Sequence, residues 1–221
     1  MKPIRRHAAA ILLALTGLIV AVIVYPDLPA QVPVHWSATG VVDQRMPKDI
    51  GAFIQPLSAL AIVGLMIACE PRDWREPQAG AVHSIYPAMV AVVSGFMLYM
   101  TVVLLLAGVG AHLDIPTDVT VGIGILMAAL GNSLGKVPRN RLIGIRFPWT
   151  LASGEVWSRT HRLAGWLFAL GGSLTAAFAV ITRSPSSPLF GAGVLIAAAV
   201  VASVYSFALS RRLPRGGPTG E

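Results

Sequence analysis

The chain has 221 residues, of which 55% are apolar and only 12% charged, with 22 Gly, 16 Pro and one Cys. A soluble domain carries about 25% charged residues, so this composition excludes an ordinary water-soluble fold. The lone Cys69 excludes an internal disulfide framework, and the net charge of +7 points either to nucleic acid or to an anionic membrane surface, depending on where the cations sit.

A helix crossing the hydrocarbon core needs roughly 20 mainly apolar residues. Six stretches meet or approach that length without an Asp, Glu, Lys or Arg: 8–25, 52–69, 85–109, 119–134, 163–182 and 189–209. The fourth is short and has to borrow a turn from its flanks. Helix-start signals accompany the division, with Asp49 before the second stretch, Thr117-Asp118 before the fourth and Ser187-Pro188 opening the sixth. The first stretch follows Lys2, Arg5 and Arg6, as a secretory signal would. Leu28-Pro29-Ala30 is a poor cleavage site and the apolar run is long, so the expectation is a retained anchor helix. The fold class expected is an all-α integral membrane protein with six transmembrane helices.

Cation placement orients that bundle. With a cytoplasmic N-terminus, 14 of the 17 Lys and Arg fall in inner segments: the N-terminus, the second connection with Arg72 and Arg75, the fourth connection and the C-tail. Arg45, Lys48 and Arg183 are the three left outside. Short loops rich in Lys and Arg stay in the cytoplasm, so both termini are expected inside. The same scatter excludes a single nucleic-acid groove.

Small residues recur at four-residue spacing on three stretches: Gly124, Ala128 and Asn132; Gly165, Ala169, Ser173 and Ala177; Ala198, Ala202 and Ser206. Such rows let helix backbones approach in lipid, although Ala-rich helices also produce them by chance. No internal repeat is evident, which argues against a transporter built from duplicated halves.

Two connections carry chemistry. In the outer one, Pro26, Pro29 and Pro33 impose an extended course and Gly40 marks a turn. The expectation is a hairpin-like cap with His35 and Trp36 on its first arm, and Asp43 and Lys48 on its second. His35 can titrate near neutrality and Trp36 can sit in the interfacial belt; a satisfied His on a headgroup-level anchor is the other reading. No second His or Cys lies at ligand spacing, so no metal is expected.

The inner connection, 131–162, is irregular through Gly135, Pro138, Gly144 and Pro148, then helical from Ser153. Glu155 sits in the first turn and pairs at i,i+4 with Arg159, while Val156, Trp157, Thr160 and Leu163 face the other way. Charge placement alone would require Lys136, Arg139, Arg141 and Arg146 but not the Asn132, Asn140, Trp149, Thr150 and His161 among them. That excess suggests a folded loop, with or without a partner.

With those residues assembled, the chain resembles the SdpI family, named for the immunity protein against a sporulation-delaying peptide toxin. Gly131-Asn132, Lys136, Asn140, Gly144-Ile145-Arg146, Pro148-Trp149-Thr150-Leu151, Glu155, Val156-Trp157 and Thr160-His161-Arg162 fall on the family signature. Phe147 stands where the family usually has Thr, and Gly154 where a polar residue is commoner. The outer segment 28–48 looks like the domain of unknown function that precedes the family's main domain, through Leu28-Pro29, Pro33, His35-Trp36, Gly40, Asp43 and Lys48.

The resemblance implies a multi-pass protein of the bacterial cytoplasmic membrane that protects against a secreted toxic peptide and holds a small cytosolic repressor at the membrane. It implies three parts: a first helical pair with the outer cap (1–69), a four-helix SdpI-like domain (85–209) and a basic tail (210–221). The expected inner partner site is Asn132, Lys136, Asn140, Arg146, Trp149, Thr150, Trp157 and His161. The expected outer site is Pro33, His35, Trp36, Gly40, Asp43 and Lys48. Two alternatives remain. A transporter or pore is disfavoured because no span carries an ionisable residue facing a water path. A lipid-headgroup-binding protein or membrane enzyme draws on the basic loop, but Glu155 and His161 lie six positions apart, nearly opposite on their helix, and no catalytic motif appears. No catalytic residue, metal or cofactor is expected, and the partners expected are the bilayer, the toxin and the repressor, without nucleic acid.

Overall fold

A computed structural model describes residues 3–37, 39–70, 79–140 and 142–213. Arg72, Arg75 and Arg141, used in the charge argument above, lie outside the described residues, as does the tail from 214. A short helix α1 (Pro3–Arg6) leads into α2 (Ala8–Val24), then a 3-10 turn (Tyr25–Asp27), β1 (Gln31–Trp36) and β2 (Val42–Pro47). There follow α3 (Lys48–Ala68), α4 (Ala79–Gly108), α5 (Ile115–Leu134), α6 (Pro148–Ala152), α7 (Gly154–Thr182) and α8 (Ser187–Arg212).

Among the described residues six helices are long and apolar enough to span a bilayer, as the uncharged runs predict. Ile115–Leu134 has the lowest mean hydropathy, 1.3, and gains its missing turn from the Ile115–Asp118 flank. Its cap is Asp114 rather than the expected Thr117-Asp118: the Asp114 carboxylate accepts from the Thr117 amide (3.4 Å) and hydroxyl (2.7 Å). Ser187 and Asp49 likewise lie inside their helices' first turns, behind the N-caps Ser186 and Pro47. Large apolar side chains stay uncovered along the helices, including Leu12, Ile19, Leu57, Leu65, Ile181 and Leu189. Helices with oily outward faces of this extent need lipid around them.

The helices form two trios in contact through α4 and α5. In the first, α2 and α3 pack with α4, and the Ser94 hydroxyl donates to the Ala10 carbonyl (2.7 Å). In the second, α7 packs against α5 and α8. The α5–α7 contact is backbone against backbone. A Cβ on Gly124 would lie 2.7 Å from the Gly172 carbonyl oxygen, and one on Gly131 would lie 2.9 Å from that of Gly165. This corrects the seam read from sequence: Gly131 replaces the exposed Asn132, and Gly172 with Ala176 replaces the exposed Ser173 and Ala177. On α8 the expected row holds, with Ala198, Ala202 and Ser206 all buried.

The connection between α2 and α3 is the expected hairpin. β1 and β2 run antiparallel with Val32 opposite Met46 and Trp36 opposite Val42. The turn closes where the Ser37 amide donates to the Val41 carbonyl (2.8 Å), and Gly40 adopts φ +81° against Pro116. Buried Leu28 and Val32 plug the ends of α2, α3 and α4, packing on Ala21, Ala52 and Leu105. Lys48 is the first residue of α3 and not part of the second arm; its ammonium reaches the Leu28 carbonyl (3.4 Å) and lies 4.6 Å from the Tyr25 ring centre.

A folded loop as the candidate functional site

The 131–162 segment sits at the end of the bundle opposite the hairpin, and its centre is a stack of two rings. Trp157 and His161, one turn apart on α7, lie with ring centres 3.9 Å apart and planes 18° from parallel. Trp157 is buried, and its indole N–H donates to the Val137 carbonyl (2.8 Å). His161 is 0% exposed. Its Nδ1 faces the Trp157 carbonyl (2.9 Å) and its Nε2 faces the Ile145 amide (2.9 Å). A carbonyl can only accept and an amide N–H can only donate, so the ring carries its one proton on Nδ1 and is neutral. His161 therefore fastens the loop to α7, with both ring nitrogens engaged by backbone groups.

Gly144 makes that bond possible. Its φ is +113°, and a side chain there would run into Nε2 of His161 and the Trp157 ring. Asn140 organises the preceding turn: its carbonyl oxygen accepts from the amides of Leu142 (2.7 Å) and Ile143 (2.8 Å), and its amide donates to the carbonyls of Pro138 (2.8 Å) and Ile143 (3.2 Å). Leu142 and Ile143 are thereby turned onto Ala10, Ala14, Val63, Tyr86 and Val90, which ties the loop to the first trio.

Thr150 has a similar internal role. It is fully buried, accepts from the Phe147 amide (2.9 Å) and faces the carbonyl of Ile145 (2.7 Å). It lies in α6, a helix the irregular reading of this stretch omitted; Pro148 starts that helix instead of breaking one, because the first helical position needs no N–H. Trp149 then pins α6 to α8, donating from its indole to the Ser206 hydroxyl (3.0 Å) and stacking on Phe147 at 4.7 Å.

Of the eight loop residues singled out in sequence, Asn140, Thr150, Trp157 and His161 thus point inward, and Trp149 bridges to α8. Asn132, Lys136 and Arg146 are exposed. A cleft of about 410 Å³ opens beside Lys136, Arg139, Trp157 and Ser158. Glu155 pairs with Arg159 at 2.6 Å as the spacing predicts, with both side chains about half exposed. Water screens such a pair, so Glu155→Ala is expected to shift stability by about 0.5 kcal/mol or less in thermal unfolding of the detergent-solubilised protein.

Sequence reasoning missed a second polar group at this end. His7 and Glu70 are both buried, with His7 Nε2 3.0 Å from a Glu70 carboxylate oxygen and Arg6 3.7 Å from the same atom. The Tyr86 ring meets His7 edge-on. The signal was available: two antiparallel spans bring the residue before the first next to the residue after the second.

At the hairpin end, His35 Nδ1 and the Asp43 carboxylate lie 2.6 Å apart, both well exposed. Pro33 is buried and Trp36 half-buried; Trp36 helps to line an apolar cavity of about 370 Å³ shared with Val103, Ile115 and Pro188. Among the described residues no cluster of three or more His, Cys, Asp or Glu has the geometry to hold a metal ion.

Comparison with known proteins agrees with these features. Residues 136–206 match the SdpI/YfhL protein family, and residues 12–60 match the domain of unknown function DUF1648. The chain is 24% identical over 182 residues to Immunity protein SdpI of Bacillus subtilis (strain 168), an overlap of 80% of this chain and 83% of that one. No solved structure matches it. The likeness first read in the loop and the hairpin segment therefore holds at both ends of the molecule, and the chain is a multi-pass bacterial membrane protein similar in sequence to the SdpI family.

Proposed function

We propose that this protein gives its host immunity to a secreted toxic peptide and relays the peptide's presence to a cytosolic repressor. The observation that carries the reading is the similarity to Immunity protein SdpI, which extends over 80% of the chain. In this reading the loop end is cytoplasmic, as the cation count favours, and the hairpin with its His35–Asp43 pair faces outward. The toxin meets the hairpin or the bundle surface beside it. The repressor meets the exposed face of the loop, through Arg146 and the cleft beside Arg139 and Ser158. Asn140, Thr150, Trp157 and His161 position that face from within and do not touch the partner. Relay requires two bundle arrangements that toxin and repressor prefer differently, and the loop's contacts with both helix trios give it a share in any change of their packing.

Challenge of a deletion strain with secreted peptides from competing strains tests protection. Restored resistance on reintroducing the gene is expected; equal sensitivity with and without it, across all peptides, overturns immunity. Arg146→Ala tests the relay. It is expected to leave membrane abundance unchanged and to weaken repressor recruitment about tenfold or more, the loss that follows when an arginine anchoring an interface is removed. Recruitment at the wild-type level would remove Arg146 from the interface.

A further inference from the structure

Most polar side chains around the loop are spoken for, which makes one group of four conspicuous. Beside the α5–α7 seam at the loop end lies a slot of about 240 Å³, floored by Gly131, Gly135 and Gly165. Because glycines carry the seam here, no side chain fills the space above it. The walls are Asn132 and Lys136 from the end of α5, and Arg162 and Trp166 from α7. All four are exposed, Trp166 to 64%. The side chains of Asn132, Lys136, Arg162 and Trp166 have no hydrogen-bond or ion-pair partner among the described residues. Their neighbours differ: Arg159 is paired with Glu155, Arg139 reaches the Leu151 carbonyl, and the indoles of Trp149 and Trp157 are both bonded.

We propose that this slot binds an anionic phospholipid of the leaflet at the loop end. Lys136, Arg162, the Asn132 amide and the Trp166 indole all offer donors, two of them cationic, and no carboxylate lines the slot. That donor set selects an anion. The slot's lining is otherwise apolar, and below Trp166 the exposed Leu170 and Leu174 continue down the same face of α7, toward the middle of the span. A phosphate-bearing headgroup fits the mouth and an acyl chain follows the Trp166–Leu170–Leu174 stripe. A soluble phosphate would leave that apolar path unused. Tryptophan and cations at one level also mark the interfacial zone where headgroups lie.

The test uses the full chain in detergent, with phosphatidylglycerol or phosphatidylcholine added and bound lipid read by native mass spectrometry. Phosphatidylglycerol is expected to be retained in preference to phosphatidylcholine. At about fivefold per cation near a charged headgroup, K136A/R162A is expected to weaken retention by about tenfold or more. The charge-matched control R211A/R212A, at the end of α8, is expected to leave it within about twofold. Quenching of tryptophan fluorescence by brominated phosphatidylglycerol provides a second readout, and Trp166→Phe is expected to remove most of it. Equal losses in the two double variants, equal retention of the two lipids, or quenching indifferent to Trp166→Phe would overturn the site. So would release of the lipid by excess inorganic phosphate, which would make the slot a soluble-anion site.

Discussion

Gly144→Ala is expected to detach the loop from α7 while the six spans remain inserted. Two effects add at this position. An alanine at φ +113° is strained, and its methyl group would enter the space held by His161 Nε2 and the Trp157 ring. Neither ring can step aside. Trp157 is fixed through Val137, and His161 through the carbonyl one turn back. The backbone must move instead, which breaks the Ile145–His161 bond and leaves a buried imidazole nitrogen unpaired. Together these cost about 2–4 kcal/mol. The measurements are the thermal unfolding midpoint in detergent and trypsin cleavage after Arg139 and Arg146, which should accelerate in the variant. Gly154→Ser is the control: nothing lies within 4 Å of a Cβ there, and the residue opens α7, so wild-type behaviour is expected. If Gly144→Ala matched that control, the ring stack would not hold the loop.

The spans were legible because lipid imposes one requirement, a long run without charge, that sequence displays directly. The hairpin was legible for a related reason: Pro29 and Pro33 keep the chain extended and Gly40 supplies the turn, although Pro26, also expected to be extended, lies instead in the 3-10 turn Tyr25–Asp27. That the 131–162 loop is folded could also be read, since cation placement explains neither Asn140 nor His161. What that reading could not separate was support from surface. Asn140 and Asn132 are the same residue type in one segment, yet the first spends its amide on its own turn and the second faces outward. Asn140's own partners lie within three positions, but the loop that holds its turn in place is fastened by pairs such as Ile145 and His161, sixteen positions apart, which no local pattern encodes. Capping of α5 went astray because Asp114, Thr117 and Asp118 all have suitable side chains and only the backbone course selects among them. The Arg6–His7–Glu70 group was visible only once two spans were placed side by side.

The α5–α7 seam was legible in kind but not in phase, and its correction yields the second large expected effect. A four-residue step overshoots a full turn by about 40°, so a row of such steps from Gly165 rotates through Ser173 to Ala177 and out toward lipid. Steps of seven and eleven return to the starting face, which is where Gly172 and Ala176 meet Gly124. A Cβ on Gly172 would overlap the Gly124 carbonyl and crowd the Ala128 amide, both backbone atoms with nowhere to retreat. Gly172→Ala is therefore expected to destabilise the bundle by about 1–3 kcal/mol through overpacking, and Gly172→Leu to prevent α5 and α7 from docking at all. Gly64 and Gly193 are the internal comparison, since a Cβ at either meets nothing within 4 Å. Alanine has the higher helix propensity by up to about 1 kcal/mol, so Gly64→Ala and Gly193→Ala should be neutral or slightly stabilising. Thermal unfolding of the three alanine variants in one detergent separates the effects by sign. A Gly172→Ala variant as stable as the other two would mean that these helices are not held by direct backbone contact, and the slot floored by Gly131 and Gly165 would lose its physical basis with it.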